Sequence, residues 1–128
     1  MRLLVAVSSL IALGGCRTGP ETLAACDVEV VFGSYCCGPA ADVRRQVQAR
    51  VQSDQSLQVR SVIASGIEGE STLCLKARSQ ADAERAFEDI KSLIPEYSER
   101  AWTSVTLASG QSFKTKWPLP AKRPTQID

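Results

Sequence analysis

Five cysteines and a complete absence of histidine define the chemistry open to this chain of 128 residues. Cys36 and Cys37 are adjacent in "VFGSYCCGPAADVRRQV", with Cys16 and Cys26 upstream and Cys74 further along. Neighbouring thiols can exchange with other thiols, hold a soft metal such as copper(I), or act only as structural staples. The lack of histidine removes Ser-His-Asp and Cys-His catalysis, His-based zinc or copper(II) sites, and switching by imidazole protonation. "GIEGE" has neither the lysine nor the spacing of a phosphate-binding loop, and no stretch follows the dinucleotide pattern GxGxxG. The acidic pair Glu88/Asp89 falls on the outward side of a predicted helix and reads as a solvated face. No catalytic residue and no cofactor are therefore expected, and any reactivity would rest on sulfur.

The N-terminus sets the redox conditions those sulfurs meet. "MRLLVAVSSLIALGGC" has one basic residue, Arg2, an apolar run from Leu3 to Leu13, and small residues before Cys16. Charge, length and exit chemistry are those of a secretory signal peptide over residues 1–15, too short to span a bilayer. Its ending, "LGGC", resembles the lipobox of bacterial lipoproteins. The resemblance implies cleavage before Cys16 and attachment there of fatty acyl chains, palmitate among them, each buried methylene adding about 0.8 kcal/mol of membrane affinity. In such lipoproteins an aspartate after the cysteine favours inner-membrane retention. Arg17 stands there instead, which points to the outer membrane, facing the periplasm, where the cell has one. Removing 15 of the 128 residues leaves 113, enough for one domain. Without Arg2 the 15 basic residues become 14, equal to the 14 acidic ones, so no net field steers the protein to nucleic acid.

The elements that must position the cysteines follow from periodicity. Residues 16–25 are small and polar, a tether. "CDVEVVFGSY" alternates with period two, placing Val28, Val30 and Phe32 on one face of a strand. Gly38 and Pro39 end it, and "AADVRRQVQARVQSD", with Val43, Val47 and Val51 four apart, reads as an amphipathic helix. "LQVRSVIAS" and "STLCLKAR" are strands joined by a turn at Gly66 and Gly69. In "SQADAERAFEDIKSLIP", Ser79 and Asp82 make a capping-box-like start. Ala83, Ala86, Phe87, Ile90, Leu93 and Ile94 share a stripe that Pro95 ends. "AWTSVTLA" is a fourth strand and "SFKTKW" a short fifth segment; residues 118–128 are expected to be disordered. The order β-α-β-β-α-β predicts an α+β, ferredoxin-like two-layer sandwich over residues 26–117, with both helices on one face and sheet order 4-1-3-2. The pattern "FGSYCCG…TLCL" resembles small bacterial envelope proteins, which implies no activity.

With Cys16 acylated, four cysteines remain in an oxidising compartment. If the first strand runs from residue 26 to 35, Cys26 lies about 30 Å from Cys36, beyond the reach of a disulfide, and Cys37 fails likewise. The third strand runs antiparallel beside the first, so Cys74, on the face away from the helices, is expected near residues 35–37. Parity favours a Cys37–Cys74 bridge, with Cys36 free or paired between molecules. Cys36–Cys74, Cys26–Cys74 and free thiols are the alternatives. Heavy-metal-associated ferredoxin-like domains are similar in carrying metal-binding cysteines in this strand-to-helix loop, but as C-x-x-C.

Two functional readings result. The first is a non-catalytic envelope lipoprotein, anchored in the membrane by lipid. Its domain would meet another envelope protein or the cell wall through the open sheet face, with Thr72, Lys76, Trp102 and Trp117 as contacts. The second is a thiol-redox or copper(I)-binding protein using Cys36, Cys37 and Cys74.

Overall fold

A computed structural model describes residues 26–118. The expected signal peptide, the acylated Cys16, the tether up to residue 25 and the tail from residue 119 lie outside the described residues. In chain order the elements are β1 (Val28–Ser34), α1 (Ala41–Ser53), β2 (Leu57–Ser65), β3 (Glu70–Ala77), α2 (Gln80–Leu93), β4 (Ala101–Leu107) and β5 (Ser112–Lys114). The class is α+β. One antiparallel sheet runs β2-β3-β1-β4-β5, and the short fifth segment pairs with β4 as an edge strand.

The period-two pattern of β1 buries Val28, Val30 and Phe32, and β4 alternates in the same way from Ala101 to Leu107. Val43, Val47 and Val51 of α1 join Ala83, Ala86, Phe87 and Ile90 of α2 in one cluster with these strand residues and with Leu73 and Leu75 of β3. Both helices thus cover a single face of the sheet, and they meet each other through the ion pair of Arg50 with Asp89. The α2 start is fixed as its sequence suggests: the Ser79 hydroxyl accepts the Asp82 N–H at 3.1 Å. Phe87 is 1% exposed at the centre of this layer.

Strand β2 departs from simple alternation. An irregularity between Val59 and Ser61 lets Val59 pair with Leu75 and Val62 with Leu73, so both valines point to the helix side. At this sheet edge both stay exposed.

Candidate functional site

The register of β1 against β3 decides where the cysteines go. Val28 pairs with Leu75, Glu29 with Cys74 and Phe32 with Ser71. Cys74 therefore sits beside the beginning of β1, on the face away from the helices, together with Glu29, Val31 and Thr72. The chain leading into β1 brings Cys26 within 5.2 Å of Cys74, Cα to Cα, and the two form a disulfide. Cys36 and Cys37, past the other end of β1, are bonded to each other.

This corrects the expected Cys37–Cys74 bridge and the expectation of an unpaired Cys36. Seven residues separate Glu29 from Cys36, about 23 Å along a strand, and a disulfide requires Cα atoms within about 7 Å. The same separation breaks up the alternative metal set, because Cys74 cannot bind one metal ion together with Cys36 and Cys37. Among the described residues, no group of three or more cysteine, aspartate or glutamate side chains is placed to hold a metal ion.

The two ends of β1 are built differently. At the entry end, Asp27 continues what the disulfide begins. Its carboxylate accepts the Ala77 N–H at 2.8 Å and the Lys76 ammonium at 3.2 Å. The backbone hydrogen bond from Ala77, helped by Lys76, holds the Asp27 carboxyl below the usual carboxylate range, outweighing the opposite effect of burial. On the open face beside it, Cys26, Glu29, Ser61, Ile63, Thr72 and Cys74 line a depression of 310 Å³.

The far end gathers loops. The N–H groups of Tyr35 and Cys36 both donate to the Arg100 carbonyl, each at 2.9 Å, tying the β1–α1 loop to the start of β4. The Tyr35 hydroxyl donates to the Thr115 carbonyl at 3.1 Å, and its ring meets Trp117 edge-to-face with centroids 5.0 Å apart. Tyr97 bridges to Lys116, next to Trp117 in the chain. Cys37 has φ 74°, alone among the described non-glycine residues in a positive φ, and Gly38 follows at φ 93°. A Cβ at Gly38 would lie 3.2 Å from the Glu68 carbonyl, so the β2–β3 turn abuts this loop. Beside the disulfide, Cys37, Gly38, Ala40, Pro95, Ser98 and Arg100 line a depression of 400 Å³.

The expected contact residues divide between these regions. Thr72 and Lys76 lie on the open face, Lys76 already engaged by Asp27. Trp102 lies flat over Gly33 on that face with the Lys114 ammonium 3.9 Å from its ring centroid. Trp117 belongs to the far end instead. Neither tryptophan is in the buried core. The far end was the part hidden from sequence reasoning: Tyr35, Tyr97 and Trp117 are distant in the chain, and it is the Tyr35 hydroxyl on Thr115 and the Tyr97–Lys116 bridge that bring their segments to one end of the sheet. Tyr35 and Trp117, 37% and 55% exposed, touch there, and Tyr97, 48% exposed, is tied in through its backbone bridge to Lys116. No family model, curated protein or solved structure matches the chain.

Proposed function

We propose that this chain is a lipoprotein of the bacterial cell envelope, held in the membrane through acylated Cys16, whose domain is a non-catalytic binding module. In this reading the domain is a ferredoxin-like two-layer sandwich with β5 as an added edge strand. The element order, the central antiparallel β1–β3 pair and the helices packed on one face support that description. The tether arrives at Cys26, at one end of β1, and the seven residues of that strand place the far end about 23 Å away. Among the described residues no helix is long and apolar enough to cross a membrane.

The exposed contact of Tyr35 with Trp117 carries the reading. Aromatic side chains with a polar edge, beside Arg100, are the residue types that anchor protein–protein interfaces. Exposed together on a small domain, they mark a surface that a partner covers. The partner is another envelope protein, and the binding surface is the far end rather than the centre of the open sheet face.

Two measurements test this. Cys16→Ala should move the protein out of the membrane fraction, and unchanged retention overturns the anchor. A photo-crosslinking residue at position 97 or 117 should give a discrete protein adduct in intact cells, while one at Arg45, exposed on α1, gives none. Adducts from neither 97 nor 117 overturn the binding surface, and adducts to cell-wall glycan alone replace the protein partner with the wall.

A further inference from the structure

We propose that Cys36–Cys37 is a redox-active site that exchanges electrons with a dithiol reductase, and that its state controls the aromatic far end.

A vicinal disulfide does little as a staple. The entropic benefit of a cross-link grows with the length of chain it closes, and this one closes a single peptide bond. Both of its residues are exposed, in contrast to Cys74, which is 3% exposed under its own bridge. Exchange needs an attacking thiolate to approach along the S–S axis, so access decides which disulfide reacts. Access to Cys37 is widened by the adjoining depression, whose lining is mostly small residues and backbone. A strand of a reductase carrying its dithiol can lie there without displacing a large side chain.

The reaction balances as an ordinary dithiol exchange. A thiolate of the reductase attacks one sulfur of the bridge, breaking the Cys36–Cys37 bond and forming a mixed disulfide, and the sulfur that leaves takes up a proton. The reductase's second thiol then attacks the mixed disulfide, closes its own S–S bond and releases the other cysteine, which is protonated in turn. Two electrons and two protons reach Cys36 and Cys37, and the reductase leaves as its disulfide.

Reduction is transmitted because the loop is wired to the aromatic cluster. Cys37 lies in the left-handed region, which non-glycine residues rarely adopt. Opening the ring lets Cys37 leave it. The Cys36 and Tyr35 N–H groups share the Arg100 carbonyl, and the Tyr35 ring rests on Trp117, so movement of Cys36 displaces the Tyr35–Trp117 contact. This control of binding rests on the far end being the binding surface; the exchange chemistry does not.

The test uses the purified, folded, oxidised protein treated with dithiothreitol, followed by alkylation and peptide mapping. Cys36 and Cys37 should be alkylated at least about tenfold faster than Cys26 and Cys74. Tryptophan emission should shift during this phase and return on reoxidation, and Trp117→Phe should abolish the shift without slowing the reduction. Cys36→Ser with Cys37→Ser should fix the emission of the reduced form. Simultaneous reduction of both bridges, or earlier loss of Cys26–Cys74, overturns the redox site. Selective reduction with unchanged emission overturns the coupling to the aromatic end. Neither result depends on the crosslinking in cells, whose failure removes the binding surface and leaves the exchange chemistry standing.

Discussion

Cys26–Cys74 joins residues 48 positions apart and buries Cys74, whereas Cys36–Cys37 joins neighbours and leaves both exposed. The surroundings follow the same division. At the entry end of β1, the staple is backed by the Asp27 carboxylate on Ala77 and Lys76. At the far end, loops meet through backbone hydrogen bonds to one carbonyl and through exposed aromatic rings. A chain with few aromatics, most of them not in its core, leans on covalent and polar ties at the entry end of β1. The far end, without such ties, is freer to carry reactive or adhesive groups. Oxidation alone therefore does not tell what a cysteine is for; loop length and burial do.

The sharpest break of this comparison is to remove each bridge separately. Cys26→Ala with Cys74→Ala should cost about 4 kcal/mol, from the chain-entropy value for a loop of this length. Cys36→Ser with Cys37→Ser should change stability by less than about 1 kcal/mol, as expected of exposed positions. Chemical denaturation of the two double variants measures both. Equal losses would erase the distinction between staple and site.

An intermediate effect is expected at the far half of β1. Gly33 leaves room for Trp102 to lie flat on the sheet, and a Cβ there would collide with the Trp102 ring. The ring is confined on its other side by Lys114. Gly33→Ala should cost roughly 1–3 kcal/mol, the range for forcing atoms into a packed site, and should shift Trp102 fluorescence. A neutral result would mean that the far end rearranges freely even inside the sheet.

Much of this architecture was legible in the sequence, for physical reasons that stop short of the cysteine pairing. The even positions of β1, the valine spacing of α1 and the Ser79 start of α2 carry their structure locally, because burial on one face imposes a period. The placing of Cys74 on the face away from the helices came from the same parity. The register between β1 and β3 has no such local origin. These strands are joined through α1 and β2 rather than by a tight turn, so no turn geometry pins which residue meets Cys74. Treating residues 26–35 as one strand also hid the approach of Cys26, since β1 begins only at Val28. A bond between adjacent cysteines lay outside any argument based on sheet neighbours. The aromatic end was illegible because its members come from three separate loops.

The smallest expected effect separates the two ends by pH. Three aspartates at the entry end are held below the usual carboxylate range: Asp27 chiefly by the Ala77 N–H, Asp54 chiefly by the Ser56 hydroxyl, and Asp82 chiefly by Ser79. Asp54 precedes β2 and Asp82 opens α2, and both of these elements begin where β1 begins. A carboxyl whose folded pKa is depressed stabilises the fold fully above its unfolded pKa of about 3.9 and loses that contribution as pH falls through the folded value. Thermal stability should therefore be flat from neutral pH down to about pH 5 and decline below about pH 4. Asp27→Asn should melt slightly lower than the parent at neutral pH, because the amide holds Lys76 and the Ala77 N–H less well than a carboxylate does. Its melting temperature should fall less steeply in acid, since one of the three titrating groups is gone. At the far end the Tyr35–Trp117 contact involves no carboxylate, so its fluorescence should stay constant through the acid range until the whole fold melts. Early loss of that signal, before the entry end yields, would reverse the order of stability drawn from the two bridges.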